Sequence, residues 1–67
     1  MNVEMKREIG LRLRQKRESA GYTREQLGEL CSLSPRFIAN VEFGTSTFSL
    51  DSLMTICRIL SCSSDYI

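Results

Sequence analysis

The chain has no histidine, a single proline and an odd number of cysteines, three, among its 67 residues. Without histidine the most usual ring ligand for a metal and the most usual general base are both missing. Cys31, Cys57 and Cys62 follow no paired zinc spacing and have no histidine to complete a site, so they are read as small apolar fillers. No metal and no cofactor is expected. No glycine-rich phosphate loop is present, and a chain this short buries only about 60% of its unfolded surface, which leaves no room for a cleft between lobes. The reading is therefore not an enzyme. Also absent is any apolar run near the roughly 18 residues of a membrane span. The opening MNVEMKREIG carries charges where a signal peptide needs its apolar stretch. These exclusions leave a soluble cytoplasmic protein of one domain, residues 1–67.

Strand-like alternation and internal repeats are absent as well, and what remains is helical punctuation. Residues 6–17, KREIGLRLRQKR, hold six basic side chains against one acidic, although the whole chain carries a net charge of only +1. The basic charge is thus gathered near the N-terminus, as in chains that meet nucleic acid. A first helix is predicted over 3–20, with Ile9, Leu13 and Ala20 on its buried side and Gly21 as the left-handed residue that ends it. Gly10 weakens that helix. Thr23-Arg24-Glu25-Gln26 has the form of a capping box and opens a second helix over 23–31. Ser34 as N-cap, with Pro35 at the first helical position, opens a third over 34–42 that Gly44 closes. Ser49 caps a fourth over 49–60, whose Leu50, Leu53, Ile56, Cys57 and Leu60 follow the i, i+3, i+4, i+7 stripe, and Ser63 caps a fifth over 63–67. Helices this short are marginal alone and must pack on one another. The expected core is Ile9, Leu13, Leu27, Leu30, Leu33, Ile38, Val41, Leu50, Leu53, Ile56, Cys57 and Leu60.

Only Cys31, at the end of helix two, Ser32 and Leu33 link helices two and three, which fixes a sharp crossing of the helix-turn-helix kind. Gly28 lacks a side chain and would admit a close neighbour, offsetting its cost of about 1 kcal/mol in a helix. On an idealised wheel of about 100° per residue, Arg36 and Asn40 lie near 160° and 200° from Ile38, flanking the outward pole. Arginine makes two hydrogen bonds to guanine O6 and N7, and asparagine two to adenine N6 and N7, so this pair suits base edges in a major groove. A solvated face of ordinary polar residues is the plain alternative. The small polar N-terminus at Ser34 and Pro35 can also approach phosphates with its free amides.

In order and spacing, IGLRLRQKRESAGYTREQL, LSPRFIANVEFG and SLDSLMTICRILSCSSDYI resemble the first helix through the start of the second, the turn with its recognition helix, and the last two helices of the Cro/repressor (XRE-type) helix-turn-helix family. The resemblance covers residues 9–67 and leaves 1–8 as an N-terminal extension of helix one. It implies an all-α, compact five-helix lambda-repressor-like domain with the helix-turn-helix at helices 2 and 3. Carried onto this chain, it implies base reading by Ser34, Pro35, Arg36 and Asn40, and phosphate contacts from Arg24, Thr45, Ser46 and Thr47. It also implies a structural ion pair between Arg17 and Glu42, the latter only about 70° from the inward pole of the wheel on the same geometry.

Four positions depart from the family pattern. Ser32 and Ser61 stand where glycine is usual, so each is expected to take a left-handed backbone at a cost of about 1 kcal/mol. Phe43 and Phe48 replace a polar residue and a proline, and are either a dimer contact or core, with core favoured for Phe48. Leu11 falls away from the core side, as a stray surface leucine or as part of an interface. The function implied is a transcriptional regulator, expected to be a repressor, binding a near-palindromic double-stranded DNA site as a homodimer, since two-fold proteins read two half-sites about one turn apart. The alternative is an antitoxin-like module with secondary DNA binding, whose protein partner would be held by residues removed beyond Ile67.

Overall fold

A computed structural model of the protein describes residues 3–60. Four helices follow one another, α1 (Val3–Ser19), α2 (Arg24–Cys31), α3 (Pro35–Glu42) and α4 (Leu50–Leu60), with no strand among the described residues. The all-α expectation holds, with four helices among the described residues where five were expected for the chain. The helix expected over 63–67, with its cap Ser63, lies outside the described residues, as does Ser61.

Local chemistry sets the ends. The Thr23 hydroxyl accepts from the Gln26 N–H at 3.1 Å while the Gln26 side chain accepts from the Thr23 N–H at 2.9 Å, a complete capping box. Ser34 accepts from the Phe37 N–H at 3.0 Å with Pro35 behind it, and Ser49 accepts from the Ser52 N–H at 3.2 Å. The first three helices share one ending, in which the last carbonyls accept from the left-handed residue and its successor. Gly21 and Gly44 fill the left-handed position at φ 81° and 82°, and Ser32 fills it at φ 57°. Ser32 therefore adopts the glycine conformation without being glycine.

The core is Leu13, Leu27, Cys31, Ile38, Val41, Ile56, Cys57 and Leu60. Tyr22, Leu33, Phe37, Phe48 and Ile59 pack around it, and Phe48 meets Phe37 edge-on with ring centroids 6.3 Å apart. Fully burying a side chain such as Leu27 or Ile38 contributes about 1.5–3 kcal/mol, and several such burials are what make helices of eight residues persist. Ile9 and Leu53 are half-buried. Two members of the expected core are instead exposed, Leu30 at 52% and Leu50 at 71%. On α2 the inward face is Leu27–Cys31, four apart, with Gly28 beside them, and Leu30 falls off that face. Leu50 is the first residue of α4, whose buried residues are Ile56, Cys57 and Leu60 in its later turns. Ala20, expected on the buried side of helix one, follows the helix end and is exposed, and so are Leu11 and Phe43.

Glycines place the helices. Gly10 lies on the inward stripe of α1 with Leu13 and Arg17, where a Cβ would collide with the carbonyl oxygens of Val41 and Glu42, so α1 can cross the end of α3 in backbone contact. The space beside Gly28 is taken by the Leu33 carbonyl oxygen, at 2.5 Å from where a Cβ would stand. The neighbour that Gly28 admits is the turn leading into α3. Contacts of α3 with α1 and α2, and of α2 with α4, complete the arrangement.

Candidate nucleic-acid interface

Helix α3 buries Ile38 and Val41 completely and turns the residues between them outward. Ser34, Pro35 and Arg36 are exposed, and Asn40 is half-buried. The Arg36 guanidinium has no ion pair or hydrogen bond among the described residues. The Ser34 hydroxyl is occupied in capping its own helix. Arg36 and Asn40, four apart, occupy adjacent turns of one outward surface, and both can offer paired hydrogen bonds to planar acceptors.

The segment after α3 is tied to Asn40 through the main chain. The Asn40 carbonyl oxygen accepts from the Thr45 N–H at 2.9 Å, the Thr45 hydroxyl at 3.0 Å and the Ser46 N–H at 3.3 Å. Thr45 and Thr47 are exposed and Ser46 is half-buried. Hydroxyls and amides at the end of α3 thus sit on a turn whose geometry is fixed by the helix itself.

Behind this surface lies a buried charge cluster. The Arg17 Nε donates to Glu42 Oε2 at 2.6 Å and its second terminal nitrogen to Oε1 at 3.2 Å, a two-pronged pair in which both side chains are buried. The first terminal nitrogen donates to the Tyr22 carbonyl at 2.9 Å, tying the turn after α1 into the same cluster. The hydrogen-bonded Glu42 carboxylate pushes the Arg17 guanidinium further above its ordinary value, against the opposing effect of burial. At physiological pH Arg17 is permanently charged.

Arg24 joins this cluster, which the sequence did not suggest. Its Nε donates to Glu42 Oε1 at 3.0 Å, and its guanidinium lies 5.1 Å from the centre of the Phe43 ring. The terminal nitrogens of Arg24 have no partner among the described residues, and its side chain is 32% exposed. The residue expected to touch phosphate is therefore held from behind by Glu42, with its outer donors unused. The structure brings Arg24 and the 45–47 segment to the C-terminal end of α3, the helix that carries Arg36 and Asn40. Arg17 lies beneath them and takes no part in the exposed surface. Gly10, which allows α1 to reach Glu42, was passed over as a weak spot in the helix. Its place on the Leu13–Arg17 stripe was the available signal.

Among the described residues no three cysteine, aspartate or glutamate side chains come together as a metal site would require. No helix among them is long and apolar enough to cross a membrane.

A family model described as helix-turn-helix matches residues 13–67. Among solved structures, the restriction-modification controller protein C.AhdI from Aeromonas hydrophila is similar, at 25% identity and a TM-score of 0.88 over 94% of this chain and 96% of that one. The clp gene regulator ClgR from Corynebacterium glutamicum is similar at 28% identity and a TM-score of 0.86 over 91% of this chain. The matched part is 65% of that ClgR chain. A sequence search of curated proteins finds no match.

Proposed function

Since the chain belongs to the XRE-type helix-turn-helix family, we propose that it is a DNA-binding transcriptional regulator, a repressor that reads a near-palindromic site as a homodimer with α3 in the major groove. The observation that carries this reading is the orientation of α3: its apolar side is consumed by the core, and Arg36 stands exposed and unpaired on the other. A guanidinium so presented can engage guanine O6 and N7 together, and the Asn40 carboxamide one turn on can engage adenine N6 and N7.

In the proposed complex the phosphate contacts come from two neighbouring places at the C-terminal end of α3. On one side is Arg24, whose terminal nitrogens remain available while Nε is held by Glu42. Holding one end of a long flexible side chain reduces the rotamer freedom lost on binding. On the other side are Thr45, Ser46 and Thr47, while Ser34 and Pro35, at the N-terminus of α3, lie at or near base edges with Arg36 and Asn40. The similar regulators C.AhdI and ClgR support a regulatory role. Two protomers related by a two-fold axis would read half-sites about one helical turn apart.

Selection of bound sites from random duplex DNA, repeated at two salt concentrations, tests the proposal. An enriched palindrome whose half-sites contain guanine and adenine at fixed spacing is the expected result. Binding that is equal on all sequences would reduce the protein to a non-specific binder. No binding at low salt would favour a module whose main partner is another protein.

A further inference from the structure

Resting on the duplex-binding reading above, we propose that Arg7 is a further phosphate-contacting residue, extending the contact surface of the 44–47 segment onto α1. The observation behind it is the seat of Gly44. At φ +82° this position favours glycine for conformational reasons alone, yet the space beside it is also filled: Arg7 Cγ lies 2.9 Å from where a Cβ would stand, and Arg7 Cα and N lie 3.3 Å from it. The turn after α3 therefore rests directly on the second turn of α1.

Thr45, the next residue, is bound twice to the Asn40 carbonyl. Arg7, Gly44, Thr45 and Asn40 thus form one contiguous line from α1 to the outward surface of α3. The Arg7 side chain meets Gly44 at Cγ, and in the proposed complex its guanidinium, farther along the chain, extends past the turn. Arg7 is exposed and has no ion pair or hydrogen bond among the described residues. Glu4 and Glu8 share its surface but neither is bridged to it. Three other arginines are differently engaged: Arg14 is held by Glu18 at 3.4 Å, Arg17 is buried, and Arg24 is anchored on Glu42. An unpaired guanidinium beside the turn that ends α3 suits a phosphate oxygen, which accepts charge-assisted hydrogen bonds from it.

The test is a titration of the full-length protein against the selected duplex and a scrambled duplex at several salt concentrations. It compares the parent with Arg7→Ala, Arg7→Lys and Arg58→Ala, the last removing an exposed charge from α4. Each neutralised phosphate contributes about 0.9 to the slope of log affinity against log salt. Arg7→Ala is expected to flatten the slope by about that amount and to weaken both duplexes by a common factor, whereas Arg7→Lys, still a point charge, and Arg58→Ala keep the parent slope. A slope for Arg7→Ala equal to that of the parent, or a flattening matched by Arg58→Ala, overturns the assignment while leaving DNA binding intact. A parent that binds neither duplex at low salt overturns the underlying reading and this inference with it. Circular dichroism of each variant at the titration temperature verifies that the helices persist.

Discussion

The Arg24 Nε stands 3.0 Å from Glu42 Oε1, so the carboxylate that closes on Arg17 is shared by two guanidiniums from two different helices. One buried negative charge joins α1, the start of α2 and the end of α3. Its two partners do not contribute alike, because Arg17 is buried and Arg24 is about one-third exposed.

Replacing Glu42 by alanine leaves the Arg17 charge buried without a counter-ion, and such losses cost about 3–5 kcal/mol. Replacing Arg24 leaves the Arg17–Glu42 pair intact and is expected to cost about 0–1 kcal/mol, as for an exposed pair. Urea denaturation followed by far-ultraviolet circular dichroism measures both. Equal midpoints for parent and Glu42→Ala would mean that the cluster does not stabilise the fold.

Gly10→Ala sets helix propensity against packing. Alanine is favoured in an isolated helix by about 1 kcal/mol, but here its Cβ would meet the Val41 and Glu42 carbonyl oxygens, which belong to backbone and cannot swing aside. We expect a net loss of about 1–3 kcal/mol, in the range of core overpacking. A raised melting temperature would show that α1 shifts away from α3 at little cost.

Ser32→Gly has the opposite expected sign. A left-handed backbone costs a non-glycine residue about 1–2 kcal/mol, part of which glycine returns through the greater freedom of its unfolded chain. At φ 57° the exchange should stabilise the protein by about 0.5–1 kcal/mol. Thermal melting decides it, and a lower midpoint would mean that the serine makes a compensating interaction in solution.

Arg36→Ala and Asn40→Ala are each expected to weaken binding to the selected site by about 1–3 kcal/mol and to relax preference at one base pair. Arg24→Ala should instead weaken all sequences alike and flatten the salt dependence by about one contact. Competition titrations with single-base variants of the site separate the two outcomes. Parent-like affinity of both α3 variants for the selected site would rule out the proposed reading surface.

What was legible in the sequence was mainly local. Thr23 with Gln26, and Ser34 with Pro35, announce helix starts because the bonds they make close within four residues. The need for a left-handed residue at Ser32 was likewise visible, from its place in the turn compared with the family pattern. The inward faces of short helices were less so: with two turns, α2 offers Leu27, Leu30 and Cys31 as candidates, and only the approach of α3 and α4 excludes Leu30. Arg24 meeting Glu42 was hidden because eighteen residues of chain and a turn separate them. Gly10 was misjudged because propensity counts against a glycine wherever its neighbours in space are unknown. In the candidate site, the outward placement of Arg36 could be read from the periodicity around Ile38, while the hold of Glu42 on Arg24 required the fold.

The Asn40 carbonyl, satisfied by three donors from Thr45 and Ser46, implies a separation between address and anchor. The main chain of this residue fastens the turn, and any amino acid at position 40 other than one that breaks the helix supplies the same carbonyl. Its side chain takes no part in that fastening. On the proposed reading, the base recognised at position 40 can be rewritten without displacing the phosphate grip beside it, so a lineage or a designer could retarget the protein one letter at a time while the docking pose stays the same.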